Sequence, residues 1–373
     1  MKSILNSAKK EATPPKKLQE KKMRIAKKAC DLIEQTIEKH PQIVGFELGG
    51  SYAKGTWLAE KADIDVFVKF NKKTSENDFA DLGTKIGFQS LKKYKPYTRY
   101  AEHPFVEAVI DGTKVNIVPC YDVNKGEWQS ATDRSIYHTK FMSKKLSNSM
   151  KEEVRILKKF FHHIGVYGAE IAKEGFSGYV SEVLISYFGS FEKTIKKISE
   201  LKKGQVIGKS GKKFDSYVVI IDPVDSNRNL GTAISVDNLG KFVLASRAFL
   251  KKPSKKFFKK PTSKRSMKNT DKIVVVQFGF KERSDDIIWG QIKRASNALK
   301  TQLELGGFSV LRNSAVKDES GNAALIFLLH AKKIENSLVR SGPEISSKEH
   351  CDKFISANLK KSQLMWILSL IHI

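Results

Sequence analysis

The segment 49-GGSYAKGTWLAEKADIDVF-67 constrains this chain more than any other. A strand-like run, IVGFELG (43–49), ends in two glycines and a serine, small residues that permit a tight reversal. In ADIDVFVKF (62–70) the residues alternate, so Ile64, Val66 and Val68 face one way while Asp63, Asp65 and Phe67 face the other. A strand that buries its apolar face thus carries two like charges on the opposite face, and these repel unless a cation lies between them. Upstream, Gly49, Gly50 and Ser51 offer backbone N–H groups and a hydroxyl to a phosphate, and Lys54 adds a point charge. A phosphate cradle followed by two hard oxygen ligands suits a Mg2+–triphosphate, and such metals can activate a hydroxyl and stabilise a leaving pyrophosphate. An Asp-x-Asp pair alone is a common surface arrangement, so the weight falls on what surrounds it.

Periodicity sorts the surroundings into three expected domains. Residues 1–145 form a mixed α/β domain: a basic helix over 16–40, strands at 43–49 and 62–70, a helix over 77–93, and a hairpin of FVEAVI (105–110) and KVNIVPC (114–120) about Asp111-Gly112. Residues 146–268 are mostly helical, with helices over 151–165, after the capping Ser177, and over 236–250, a strand at 216–221 and the turn-rich loop DPVDSNRN. The basic, proline-broken KKPSKKFFKKPTSKR (251–265) reads as a boundary segment able to touch phosphates. From 269 to 373 the pattern restarts as strand, helix, strand, strand, a small α+β domain.

With 67 Lys and Arg against 40 Asp and Glu, the formal charge is +27, which points to a polyanionic partner, nucleic acid ahead of an anionic membrane surface. Three cysteines without C-x-x-C spacing argue against a disulfide framework or zinc site and fit a reducing, cytoplasmic setting. No apolar run reaches the roughly 20 residues of a membrane helix, so no membrane partner is expected.

GGSYAKGTWL and DIDVF resemble the signature of the nucleotidyltransferase superfamily that includes DNA polymerase β and poly(A) polymerases. More closely, the chain is similar to the archaeal-type (class I) CCA-adding enzymes, through YAEHPF (100–105), KVNIVPCYDV (114–123), TDRSIYHTKF (132–141), the segment 154–191, DPVDSNRN (222–229) and WGQIKRA (289–295). The resemblance covers at least residues 25–345. It implies a polymerase-β-like head, addition of C, C and A to the 3′ end of tRNA from CTP and ATP, Mg2+ as cofactor, and a homodimer. By resemblance Asp63 and Asp65 are the metal-binding carboxylates. Gly50, Ser51 and Lys54 lie at the triphosphate, His138, Lys158 and Tyr167 hold phosphates and sugar, and Arg228 reads the incoming base. Plainer alternatives stand beside these: a satisfied surface His138, a Lys158 lying along its apolar helix face, a core Tyr167, an Arg228 paired within its acidic loop.

Two departures stand out. The family's third carboxylate falls at Asn116, whose amide oxygen can ligate Mg2+ but supplies no charge. If Asp111-Gly112 is a two-residue turn, Glu107 lies opposite Asn116 on the same face, a candidate replacement that acts directly or through water. The family also continues past this point with a tail that grips tRNA, whereas KKSQLMWILSLIHI stops abruptly, so a truncated tail is expected. The competing readings are a poly(A) polymerase-like enzyme and a catalytically impaired tRNA-binding protein.

Overall fold

The computed structural model describes residues 1–60, 62–100, 103–259, 272–334, 340–362 and 364. The chain divides into two compact units, one of Met1–Ser266 with Lys281–Gln291, the other of Met267–Phe280 with Ile292–Ile373. The C-terminal run on which a truncated tail was expected, and the end of the basic segment 251–265, lie largely outside the described residues.

In the first unit, α1 (Lys2–Ala12) and α2 (Lys16–Ile37) precede β1 (Ile43–Gly49), the short α3 (Gly50–Lys54), β2 (Ile64–Asn71) and α4 (Glu76–Ser90). Three strands follow, β3 (Tyr97–Tyr100), β4 (Pro104–Ile110) and β5 (Thr113–Asp122). The mixed sheet runs β1-β2-β5-β4-β3, with β2 and β5 parallel and the other neighbours antiparallel. One face is apolar: Ile64, Val66, Val68, Val106, Ala108, Ile110, Val115 and Ile117 bury against Ile25, Ala29 and Ile33 of α2 and Phe79 and Ile86 of α4. Burying a side chain of this size contributes about 1.5–3 kcal/mol, so the register of all five strands is tied to the alternation read from ADIDVFVKF. The opposite face is left to carry chemistry. The Asp111-Gly112 turn is two residues long, both at positive φ, and pairs Ile110 with Thr113 as expected from the hairpin.

Helices take over next: α5 (Asp133–Lys145), α6 (Asn148–Ile164), α7 (Gly178–Phe188) and α8 (Phe191–Ser199). The side chains of Ser147, Ser177 and Ser190 cap α6, α7 and α8 by accepting backbone N–H bonds. Two three-residue strands, β6 (Gln205–Ile207) and β7 (Val218–Ile220), pair in parallel, and α9 (Val236–Lys251) follows. A phenylalanine core holds this part together, with Phe160, Phe161, Phe176, Phe191, Phe242 and Phe249 all but fully buried. The second unit contains β8 (Ile273–Gly279), β9 (Val310–Lys317) and β10 (Asn322–Leu329) in the order β8-β10-β9. Helix α10 (Asp285–Leu305) precedes β9, and α11 (Lys348–Asn358) follows β10.

Sequence reading overlooked α1, the short α3, α5, α8, α11, β3 and β6. α1 is lysine-rich, and its apolar stripe is short and built mostly of small residues, Leu5, Ala8 and Ala12; Leu5 and Ala8 join the helical core, and Lys9 pairs with Glu153 of α6 at 2.7 Å. The short strands β3 and β6 exist because partners already present complete their hydrogen bonds.

Candidate active site

Strand pairing lays one row of residues across all five strands on the other face of the sheet, above the small apolar cluster of Phe67, Cys120 and Ile136. Gly49 of β1 pairs with Asp65 of β2, Asp65 with Asn116 of β5, Asn116 with Glu107 of β4, and Glu107 with Tyr97 of β3. Side chains at one level of a sheet point the same way, and here they touch: Asn116 Nδ2 donates to Asp65 Oδ1 at 2.8 Å, and the Tyr97 hydroxyl donates to Glu107 Oε1. Gly50 closes the row from above. Its φ is +66°, and a Cβ there would meet Asp65 Oδ2 at 1.9 Å, so only glycine lets the β1–α3 turn approach the carboxylate.

This row is short of positive charge around Asp65. Burial pushes the Asp65 carboxyl above its usual range; the Asn116 hydrogen bond opposes the shift, and the Asp63 charge adds to it. Asn116 is 9% exposed, and its Oδ1 has no hydrogen-bond partner among the described residues. A buried, unsatisfied hard oxygen beside two carboxylates fits a small divalent cation. The described residues hold no group of three His, Cys, Asp or Glu side chains placed as a metal cage, so any such cation would rest on two carboxylates and an amide.

Glu107 sits where the hairpin reading put it, opposite Asn116, and is 4% exposed. Its carboxylate is occupied: besides Tyr97 it accepts from Lys114 Nζ at 3.0 Å and faces Arg99 Nε at 3.8 Å. Burial pushes this carboxyl up, but the Tyr97 and Lys114 hydrogen bonds outweigh it and hold it ionised below the usual range. Sequence reasoning missed Lys22. It lies in the basic α2, yet is 6% exposed, and its ammonium donates to Ala62 O at 2.6 Å and to Thr113 Oγ1 at 2.9 Å. It thereby fixes the residue that precedes Asp63. Nothing in KKLQEKKMRIAKK separates this lysine from its solvated neighbours except its place on the Ile25–Ala29 side of the helix.

The residues expected at the triphosphate gather beside the row. Ser51 lies in α3 directly after Gly50. Lys54, 6% exposed, forms an ion pair at 2.6 Å with Glu182 Oε2 of α7, and its ammonium stands 5.4 Å from the Tyr179 ring centre. Lys158 of α6 is 1% exposed and donates to Thr56 O at 2.9 Å and Thr56 Oγ1 at 3.2 Å, with Glu182 Oε1 at 3.5 Å. Burial lowers its pKa to about 8 against the pull of Glu182. Tyr167 stacks on His162, and a Cβ on Gly178 would meet both its hydroxyl, at 2.9 Å, and Lys158 Nζ, at 3.4 Å.

A second group forms around Asp222, which is fully buried. His138 Nε2 lies 2.7 Å from Asp222 Oδ2, the Tyr179 hydroxyl donates to Oδ1 at 2.9 Å, and Arg228 Nη1 donates to Oδ2 at 3.2 Å. His138 also stacks on Tyr179, with ring centres 3.9 Å apart. Burial lowers the His138 pKa, partly offset by the bond to Asp222. Burial raises the Asp222 carboxyl, but His138 and the backbone N–H of Val224 outweigh it, so Asp222 is the ionised partner and holds the imidazole with its proton on Nε2. His138 is therefore buried and engaged, not a surface histidine. Arg228 does carry the loop ion pair weighed as its alternative, while 42% of its side chain stays exposed toward any ligand.

Three family models match the chain in order: "Nucleotidyltransferase domain" over 29–141, "tRNA nucleotidyltransferase, second domain" over 152–259, and "CCA-adding enzyme, C-terminal domain" over 269–367. Among curated proteins it is similar to the CCA-adding enzyme of Pyrobaculum islandicum, 33% identical over 97% of this chain and 86% of that one. It is likewise similar to the CCA-adding enzyme of Saccharolobus shibatae, 36% identical over 89% and 81%. Among solved structures, CdnC of E. coli MS115-1 with ATP matches at 20% identity and TM-score 0.51, over 69% of this chain and 94% of that one. A Cid1 poly(U) polymerase with Mg and 3′-dATP bound matches at 13% and 0.51, over 68% and 94%. At these identities the structures speak for the fold alone, a mixed-sheet nucleotidyltransferase head followed by helices.

Proposed function

The chain belongs to the family of CCA-adding enzymes, and from that premise we propose that it extends the 3′ end of tRNA by C, C and A, taking CTP and ATP and releasing pyrophosphate. The observation that carries this reading is the row Asp65–Asn116 beneath Gly50, with the orphaned Asn116 oxygen beside a carboxylate whose burial its partners only partly offset.

In this reading Asp63, Asp65 and Asn116 Oδ1 hold Mg2+. When bound, the ion lowers the pKa of the attacking hydroxyl and neutralises charge that develops on the α-phosphate and on pyrophosphate. Gly50 admits the phosphates close to Asp65, Ser51 and Lys54 contact the triphosphate, and Lys158 and Tyr167 back that contact. His138 and Asp222 hold Tyr179 and Arg228 in place where the base is read. Glu107, ionised and opposite Asn116, supplies through space part of the charge that the amide lacks. Lys114 and Arg99 reach outward from it and are each 44% exposed, so solvent screens them more than it screens the buried carboxylate. The divisions 1–145, 146–268 and 269–373 are read as catalytic head, nucleotide- and tRNA-binding middle and RNA-binding body, with the homodimer of the family as the working assembly. No helix among the described residues is long and apolar enough to cross a membrane.

The test is incorporation. With Mg2+, CTP, ATP and tRNA lacking its 3′ end, products should grow by three residues and stop. A ladder of longer products would favour a poly(A) polymerase-like activity. Salt-sensitive tRNA binding without extension would favour an impaired binding protein, the reading that the neutral Asn116 supports.

A further inference from the structure

Glu182 is a fully buried acid of the site, and neither the carboxylate row nor the Asp222 group uses it. It lies on α7 at 0% exposure, beside Val180, Val183 and Leu184, where a glutamate breaks an otherwise apolar face. Three donors from two other places in the chain converge on it. Lys54 Nζ lies 2.6 Å from Oε2, the Thr56 hydroxyl donates to Oε1 at 2.5 Å, and Lys158 Nζ lies 3.5 Å from Oε1. Burial pushes this carboxyl up, but Lys54 and Lys158 outweigh it and keep it ionised.

We propose that Glu182 is a positioning residue that serves as the internal counter-anion of the triphosphate cradle, aiming Lys54 at the phosphates with Lys158 and Thr56 as its rear support. The inference rests on the proposed function and deepens it. The two lysines differ in what they have left to give. The ammonium of Lys158 has three N–H donors, and Thr56 O, Thr56 Oγ1 and Glu182 Oε1 lie within reach of them. Among the described residues Lys54 stands against one carboxylate oxygen, Glu182 Oε2, and an aromatic face, so it retains donors for an incoming anion. Without a carboxylate between them, two ammoniums this buried would repel, and Lys158, already lowered to about 8 by burial, would lose its proton. The site would then lack both the charge and the geometry to receive a polyphosphate. A cradle ordered before the ligand arrives avoids the cost of ordering it during binding.

Glu182→Gln keeps the shape and removes the charge. We expect KM for both CTP and ATP to rise about 10-fold, kcat to change less than about 3-fold, and the inhibition constant of inorganic tripolyphosphate to rise with KM. Glu182→Asp should recover part of the loss. Because Glu182→Gln strips a buried pair and can fail to fold, Thr56→Val is the second variant: all three charges remain, and KM should rise about 3-fold in the same direction. Variants that lose thermal stability but keep the parental KM and tripolyphosphate inhibition would overturn the inference and leave Glu182 a purely structural charge. A parent protein that adds nothing to tRNA yet binds tripolyphosphate, with the same loss on Glu182→Gln, would sink the proposed activity and leave this inference standing.

Discussion

The carboxylate row and the Glu182 cluster both bury charge in the first unit, and they are built on opposite plans. In the row, the sheet does the positioning: Asp65, Asn116 and Glu107 share a level because their backbones are paired, whatever their charges prefer. Around Asp65 the charge is only partly balanced, and burial above all pushes its carboxyl up, while Glu107 at the other end of the row is paired. In the Glu182 cluster, α3, the loop after it, α6 and α7 contribute one or two groups each, and the charges themselves draw Lys54, Thr56, Lys158 and Glu182 together. Geometry that is supplied by backbone tolerates electrostatic stress, and a site under such stress is suited to a cation. Geometry that is supplied by charge does not tolerate it, so changes there should reach stability as well as binding.

The sharpest way to break that contrast is Asp65→Asn. Incorporation into tRNA should fall by about 10^3-fold or more, since the cation loses a carboxylate. The folded protein, measured by urea denaturation without metal, should be no less stable than the parent, because a buried like charge has gone. A large loss of stability would show that Asp65 is held by compensating partners after all. Next comes Gly50→Ala, which puts a methyl where Asp65 Oδ2 lies 1.9 Å away and forces a side chain into positive φ. It should cost about 1–3 kcal/mol of stability and about 10^2-fold in activity, because small displacements at the reacting centre carry that much.

The same contrast explains what could be read from residues alone. Alternation in ADIDVFVKF puts Asp63 and Asp65 on one face of their strand, and the two-residue turn at Asp111-Gly112 puts Glu107 opposite Asn116; that Asn116 belongs beside the two aspartates comes from the resemblance, and the pairing of β2 with β5 brings it there. What the reading could not see was that Tyr97, on an unrecognised edge strand, would claim Glu107. Glu182 and Asp222 stayed out of view for a different reason. Apart from Arg228, which the sequence already set beside Asp222 in its loop, their side-chain partners lie 24 to 128 residues away, and no local period reports on an encounter of that kind: Glu182 with Lys54 and Lys158, Asp222 with His138 and Tyr179. The one visible sign was a glutamate inside the apolar face of GYVSEVLISYF, which is costly unless paired. Lys22 left only its place on the Ile25–Ala29 side of α2, since one buried lysine among many basic neighbours otherwise looks like the rest of a solvated face.

Asn116→Asp sharpens the contrast from within the row. It should be active and a few-fold faster than the parent at saturating Mg2+, since the added carboxylate supplies the charge that Glu107 provides only from a distance. Without metal the variant should be less stable by about 1 kcal/mol, because a third like charge faces Asp65, and Mg2+ should reverse that loss. A variant slower than the parent would mean that the amide is itself the fitted ligand and that Glu107 makes up the remaining charge.

The last expected effect is a pH slope to which the Glu182 cluster contributes through Lys158. Lys158 ordinarily titrates at 10.5, and in the folded protein burial brings it to about 8. Below that value folded and unfolded chains both hold the proton, and Lys158 adds no slope. Between about 8 and 10.5 the unfolded chain binds more protons than the folded one, so the contribution of Lys158 to stability rises with pH through that window. Lys158→Met should remove this rise, which is read by comparing urea midpoints of parent and variant from pH 8 to 10. Equal slopes in the two proteins would mean that Glu182 holds the Lys158 proton as firmly as water does, and the cluster would then be balanced at every pH at which the enzyme is folded.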